Sequence, residues 1–213
     1  MRKRLFKIMA TLKNIIFDLG GVLLNIDYKK TAKAFTDLGV HDFETMYDQF
    51  SADELFEKLE TGHVKQEDFF QAMHARIPSL SPDLITRAWN AMILDFRLES
   101  LNFLEVLAKT YNLFLLSNTN IIHKSHFDRL FTSETGRRSI DDYFKKVYYS
   151  HLIGLRKPHT SIFTFILKDA DIKADETLFI DDSYNNIEGA QAVGIKSHLL
   201  KPQERIEDLN IFI

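Results

Sequence analysis

Apolar and polar positions divide this chain into three stretches of different rhythm. Asn14-Ile15-Ile16-Phe17-Asp18-Leu19 is apolar at consecutive positions and is closed by Gly20-Gly21. A short run of this kind predicts a strand covered on both faces. Val22 to Asp27, bounded by polar residues, reads as a second short extended piece. From about Lys29 to about Ile93 the spacing is helical. Phe43, Met46, Tyr47 and Phe50 fall on one face, and Leu55, Phe56 and Leu59 on the next. Thr61-Gly62 breaks the run before the stripe Phe69, Phe70, Met73 and Ile77. Ser81-Pro82 supplies a capping hydroxyl and a first-turn proline, followed by Leu84, Ile85, Ala88, Trp89 and Met92 on one face. Aromatic stripes at this spacing predict the core of a helix bundle.

Beyond about residue 96, helix and strand alternate. Leu98 to Lys109 is amphipathic, and Leu113-Phe114-Leu115-Leu116 is a buried strand ending at Ser117-Asn118. Further strands are predicted near Val147-Tyr148-Tyr149, Leu178-Phe179-Ile180 and Ser197-His198-Leu199-Leu200. Strands separated by helices imply crossover connections, hence a parallel sheet with helices on both faces. The expected fold class is therefore α/β, a Rossmann-like parallel sheet with a helical unit inserted after its first strand. The expected division is a core at 12–27 and 96–213 and an insert at 28–95.

Composition changes this picture little. The 213 residues are 45% hydrophobic and 27% charged, with a formal charge of -3, so nothing calls for a nucleic-acid partner. The absence of cysteine removes disulfides and thiolate metal sites from consideration and fits a reducing compartment, so cytoplasm is the expected location. No apolar run approaches the roughly 20 residues that span a bilayer, and no membrane association is expected. Met1-Arg2-Lys3-Arg4-Leu5-Phe6-Lys7 lacks the apolar stretch of a signal peptide and reads as a loosely attached tail. A monomer is the default expectation.

In an open parallel sheet, ligands bind beyond the carboxyl ends of the strands. Here those ends are polar. The first strand ends at Asp18, the next at Ser117-Asn118 and a later one at Asp181-Asp182, while Lys157-Pro158 follows the Tyr148 strand. Taken singly, each has a plain reading: a turn aspartate, loop hydrogen-bonding, a solvated lysine, a helix cap near Tyr184. Taken in order, they resemble something specific.

The succession Phe17-Asp18-Leu19-Gly20-Gly21-Val22, Leu116-Ser117-Asn118, Gly154-Leu155-Arg156-Lys157-Pro158 and Asp181-Asp182 with Asn186 resembles the four motifs of the haloacid dehalogenase (HAD) superfamily. The likeness runs over nearly the whole chain, and the helical insert stands where that family carries a small helical cap. Leu59-Glu60-Thr61-Gly62 followed by Phe69-Phe70 is similar to a stretch in caps of the branch that includes sugar-phosphate, glucose-1-phosphatase-like enzymes.

The resemblance implies a magnesium-dependent phosphatase in which Asp18 is the nucleophile and forms an aspartyl-phosphate, splitting ester hydrolysis into two easier steps. It implies that Mg2+ is held by Asp18, the Gly20 carbonyl and Asp182, with Asp181 assisting directly or through water. Ser117 and Lys157 would bind the phosphoryl oxygens, and Asn118, Thr119 and Asn120 are candidate phosphate or substrate contacts. The implied partner is a small phosphorylated metabolite enclosed by the cap.

One departure stands out. Phosphatases of the superfamily usually carry a second aspartate two residues after the nucleophile, as acid and base, and here that residue is Gly20. Three readings stay open: a phosphatase working without that group, a haloacid dehalogenase, or a binding protein on the same fold. Asp181-Asp182 favours the first, because dehalogenases need no magnesium. Phosphomutase activity relies on the missing acid and is disfavoured. Asp27 could substitute if the chain folds back, although a helix cap is the plainer expectation. His123 and His126, on a helix after the second motif, could line the entrance or touch substrate, although partial exposure is the plainer expectation, and Thr135-Gly136-Arg137-Arg138 is expected to be a surface loop.

Overall fold

A computed structural model describes residues 12–47 and 53–212. The expected Met1–Lys7 tail and Phe50 lie outside the described residues. β1 (Asn14–Phe17) is the middle strand of a five-stranded sheet in the order β5-β4-β1-β6-β7. It pairs with β4 (Asn112–Ser117) and β6 (Thr177–Asp181), which pair in turn with β5 (Lys146–Tyr149) and β7 (Lys196–Leu199), and every pairing is parallel. The consecutive apolar residues of β1 are explained by the pleat. Ile15 and Phe17 enter the core on one face and Ile16 enters the core on the other.

Two helices, α6 (Leu98–Leu107) and α7 (Ile121–Thr135), cover the first face with Leu101, Leu104, Phe127 and Phe131. The second face is covered by α9 (Thr160–Asp169) and α10 (Tyr184–Gln191), which contribute Ile162, Phe163, Ile166 and Ile187. A single turn, α8 (Ser150–Ile153), follows β5. Among the described residues no helix is long and apolar enough to cross a membrane.

The insert hangs on an antiparallel pair outside the main sheet, β2 (Leu24–Ile26) and β3 (Ile93–Phe96). Between these strands the described residues form α1 (Tyr28–Asp37), α2 (Phe43–Met46), α3 (Glu54–Glu60), α4 (Gln66–Arg76) and α5 (Pro82–Asn90). Side chains stop the helices where the sequence offers caps. Asp27 accepts from the Lys29 N–H, Asp53 from Leu55 and Phe56, and Ser81 from Leu84 with Pro82 in the first turn. Trp89 is the hub of the insert. Its ring lies 4.7 Å from Tyr47, 5.0 Å from Phe56, and 6.0 Å from both Phe43 and Phe69. This cluster is continuous with the α6–α7 side of the sheet, so the insert rests on the core.

Two expectations need correction. The helical pattern does not run to Ile93, because α5 ends at Asn90 and Ile93–Phe96 is strand β3. The returning chain has β2 beside it, with the Asp27 N–H donating to the Met92 carbonyl at 2.9 Å. Nor does the Phe43 stripe continue as helix, because Tyr47 is extended, at φ −155° and ψ 126°. Tyr47 is spent instead on the aromatic cluster and on Glu60.

Candidate active site

The central place of β1 brings the polar strand ends together. Phe17 is level with Leu115 of β4 on one side and Ile180 of β6 on the other. The residues that follow these partners therefore emerge at one edge, where the strand order reverses. Asp18 is 7% exposed there, and Lys157 is 2% exposed. Lys157 Nζ lies 2.6 Å from Asp18 Oδ1 and 2.7 Å from Asp181 Oδ2, and it donates to the Leu116 carbonyl at 3.2 Å. Burial works against the ammonium, but the two carboxylates outweigh it and hold its pKa above the ordinary lysine value. The pKa of Asp18 is shifted upward as well, which for an acid favours the neutral form. Burial, with Asp181 and Asp182 beside it, raises its carboxyl well above the usual range despite the pull of Lys157.

Asp181, at the end of β6, has no exposed surface. Its Oδ1 accepts from the Ser183 N–H at 2.8 Å and from Asn186 Nδ2 at 3.0 Å, and its Oδ2 takes Lys157. Both oxygens are engaged by donors of the chain, so Asp181 braces the lysine. Asp182 is half-buried at the cavity wall, its pKa pushed up to about 6 by burial and by Asp181. Gly21 has φ +71°, and a Cβ there would stand 2.1 Å from Asp182 Oδ2. Only glycine admits both that backbone and that approach.

The chemistry of these donors fits magnesium. Ligand oxygens of Asp18, Asp181 and Asp182 lie within 4.8 Å of one another. When ionised, three carboxylates against one ammonium leave two negative charges in excess, which a hard dication with a preference for oxygen offsets.

Ser117 is buried and lines the same cavity. Asn118 takes a different role from the one expected. Its Nδ2 donates to the Lys157 carbonyl and its Oδ1 accepts from the Lys157 N–H, both at 2.9 Å, so its side chain serves the lysine loop. Thr119 is buried and lines the cavity, with Ser150 Oγ bonding both its N–H and its carbonyl at 2.9 Å. Asn120 caps α7, accepting from the Ile122 and His123 N–H groups. The Asp27 carboxylate caps α1, and Asp27 is not among the cavity-lining residues. Arg137 pairs with Glu105 at 2.6 Å on the surface, as a loop residue should.

His123 corrects the expectation of exposure. It is buried, lines the cavity and stacks on Trp89 of the insert at 4.6 Å, while His126 is half-buried. The amphipathic pattern of α7 does not show that α5 covers this turn. Nor does the sequence single out the polar wall of the insert. Glu60, 2% exposed, accepts from Tyr47 Oη at 2.7 Å, and its Oε2 stands 3.0 Å from Arg156 Nη2. Burial raises the pKa of Glu60, against the pull of Arg156. The local signals are an acid placed directly after the buried Leu59 and the likeness of Leu59-Glu60-Thr61-Gly62 to a cap stretch, neither of which names a partner. Tyr28, Tyr47, Glu60, Met92 and Ile93 of the insert thus roof a cavity whose floor is Asp18, Ser117, Lys157 and Asp182.

The chain resembles known proteins along most of its length. A family model described as haloacid dehalogenase-like hydrolase matches residues 12–194. D-ribitol-5-phosphate phosphatase of Bacteroides thetaiotaomicron is 33% identical over 187 residues, 87% of this chain and 90% of that protein. A HAD-family enzyme of the same organism, solved as wild-type protein with magnesium and inorganic phosphate, has a TM-score of 0.84 at 33% identity, covering 93% of this chain and 99% of its own. A structure described as a predicted HAD-like family hydrolase from Porphyromonas gingivalis has a TM-score of 0.82 at 32% identity, covering 91% and 93%. With four motifs brought to one sheet edge and a family model spanning residues 12–194, this chain belongs to the haloacid dehalogenase-like hydrolase family.

Proposed function

We propose that the chain is a magnesium-dependent phosphatase that hydrolyses a small phosphate monoester, a sugar or polyol phosphate, through an aspartyl-phosphate on Asp18. The observation that carries this reading is the buried Asp18–Lys157 pair at 2.6 Å, with Asp181 and Asp182 beside it. Such a cluster presents a carboxylate nucleophile and a fixed cation to one phosphoryl group. The B. thetaiotaomicron relative acts on a pentitol phosphate, which supports a substrate of the same class.

Asp18 attacks phosphorus with one carboxylate oxygen, and the phosphorus–oxygen bond to the alcohol breaks. Water then attacks phosphorus of the aspartyl-phosphate, releasing inorganic phosphate and restoring the carboxylate. Lys157 and Ser117 hold the phosphoryl oxygens through both steps. Asp18, Asp182 and the Gly20 carbonyl would hold magnesium, which when bound would supply the charge that lets a carboxylate approach a phosphate dianion. Asp181 and Asn118 keep Lys157 in place by its ammonium and its backbone. With glycine at position 20, the leaving oxygen draws its proton from water, so turnover of an alkyl ester is expected to be modest. The insert at 28–95 serves as the lid over the core at 12–27 and 96–213 and keeps large phosphorylated partners out.

The test is release of inorganic phosphate from a panel of small phosphate monoesters, with magnesium and with EDTA. Magnesium-dependent release that Asp18→Asn abolishes is the expected result. Halide release from a 2-haloacid, indifferent to EDTA, would overturn the reading in favour of a dehalogenase.

A further inference from the structure

Unsatisfied polar atoms gather around one cavity. Seven buried side-chain nitrogen or oxygen atoms among the described residues have no hydrogen-bond partner. Three of them, Glu60 Oε2, His123 Nε2 and Arg156 Nε, belong to residues that line the roofed cavity above Asp18. A buried polar atom left unpaired is costly, so a cluster of them beside a cavity points to groups that arrive from outside. We propose that Glu60, His123 and Arg156 are specificity-determining residues that recognise hydroxyl groups on the alcohol half of the substrate. This rests on the hydrolase reading above and deepens it by assigning the recognition of the leaving group.

The three atoms differ in character, and together they suit hydroxyls. Asn90 Oδ1 lies 2.9 Å from His123 Nδ1, so Nδ1 carries the proton and Nε2 is left as an acceptor. Burial lowers the pKa of His123 to about 3, which keeps the ring neutral and the acceptor available near neutral pH. Arg156 Nε is a donor. Glu60 Oε2 is an acceptor that pairs with Arg156 Nη2 at 3.0 Å without hydrogen-bond geometry. A hydroxyl both donates and accepts, so a polyhydroxylated chain can meet all three where an alkyl chain meets none. A second phosphate would face Glu60 and Asp182 and is disfavoured.

The rings also fix the place of recognition. His123 belongs to the core helix α7 and Trp89 to α5 of the insert, and they stack with an interplanar angle of 20°. Glu60 lies on α3 of the insert and Arg156 on the loop before Lys157. Each of the two contacts crosses from lid to core, so the recognising atoms are assembled only when the lid is seated.

The test compares kcat/KM for a pentitol 5-phosphate and for n-pentyl phosphate, equal in carbon chain and different in hydroxyls. Wild type, His123→Phe, His123→Gln and Arg156→Lys are assayed with magnesium. Phenylalanine keeps the stack on Trp89, and lysine keeps the charge beside Glu60. The wild type is expected to prefer the pentitol ester, and His123→Phe and Arg156→Lys each to lower the preference roughly tenfold, about one hydrogen bond. His123→Gln, which retains an acceptor, should lose less. Because the preference is a ratio within one preparation, partial unfolding cancels. A wild type that does not discriminate, or variants with an unchanged ratio, overturns the proposal while the hydrolase reading stands. No phosphate release from either ester by the wild type overturns both.

Discussion

Asn118 grips Lys157 by its backbone, its amide nitrogen on the Lys157 carbonyl and its amide oxygen on the Lys157 N–H, both at 2.9 Å. The asparagine directly follows β4, and the lysine lies in the loop beyond α8, so one side chain joins two connections at the candidate active-site edge. Displacement of a positioned cation by even an ångström is costly to the chemical step. Asn118→Ala is expected to lower kcat by about 10²-fold with a smaller change in KM. Asn118→Asp should not rescue it, because the carboxylate cannot donate to the Lys157 carbonyl and adds another acid. Steady-state kinetics of the two variants check this, with circular dichroism to establish the fold. Wild-type kcat in Asn118→Ala would sink the positioning role.

Glu60, on α3 of the insert, stands 3.0 Å from Arg156, on the loop before Lys157. Their side chains are 3% and 17% exposed, so the pair is poorly screened. Removing one member of a buried pair leaves the other charge uncompensated. Glu60→Ala also strands the Tyr47 hydroxyl, which donates to Glu60 at 2.7 Å. The expected loss is on the order of 2–4 kcal/mol in unfolding free energy. Glu60→Ala combined with Arg156→Ala should lose less than the sum of the two, which a double-mutant cycle in denaturant measures. Strict additivity would mean that the pair does not couple lid and core.

How far the sequence reaches is plain from where each residue's role is decided. That Asp18, Ser117 and Asp182 meet at one edge is legible because a strand end is a local feature and an open parallel sheet sends its strand ends to one edge, whereas Lys157 reaches it from a loop beyond α8. The caps at Asp27, Asp53 and Ser81 are local too, each accepting within the first turn of its own helix. The roles of Asn118, Glu60 and His123 are decided by what lies across from them. Nothing along α7 says that Trp89 covers His123, and nothing near Glu60 says that Arg156 faces it. Strand β3 was hidden for the same reason. Met92 and Ile93 continue an apolar helical spacing, and only pairing with β2 makes the segment extended.

His123 should leave a mark on the pH dependence of stability. Burial, with His126 adding repulsion, lowers its pKa from 6.5 to about 3 in the folded chain. The unfolded chain then takes up a proton between these values while the folded chain does not. Stability from this group is full above pH 6.5 and is lost as pH falls from 6.5 towards 3, with a slope of up to about 1.4 kcal/mol per pH unit. Phenylalanine at this position cannot titrate. Denaturant unfolding of wild type and His123→Phe between pH 4 and 8 should show the wild type losing ground to the variant on the acid side. Parallel curves would mean that His123 is protonated equally in both states.

Gly20 stands where an acid–base aspartate is usual in the family, and the structure sets a condition on restoring it. A Cβ at position 20 would lie 2.5 Å from Ile26 Cδ1, the flexible end of a side chain on β2. The backbone is therefore not the obstacle, and the isoleucine must give way. Gly20→Asp alone is expected to gain little, because the new side chain must first displace Ile26. Gly20→Asp with Ile26→Val should speed hydrolysis of alkyl phosphates, whose alcohols leave poorly, by roughly tenfold or more. Aryl phosphates, whose leaving groups need little protonation, should respond weakly. The slope of log kcat against leaving-group pKa reads the difference, and it should flatten in the double variant. An unchanged slope would mean that another group already protonates the leaving oxygen. The search would then move to Tyr28 and Glu60, whose side chains line the same cavity and which burial makes reluctant to ionise.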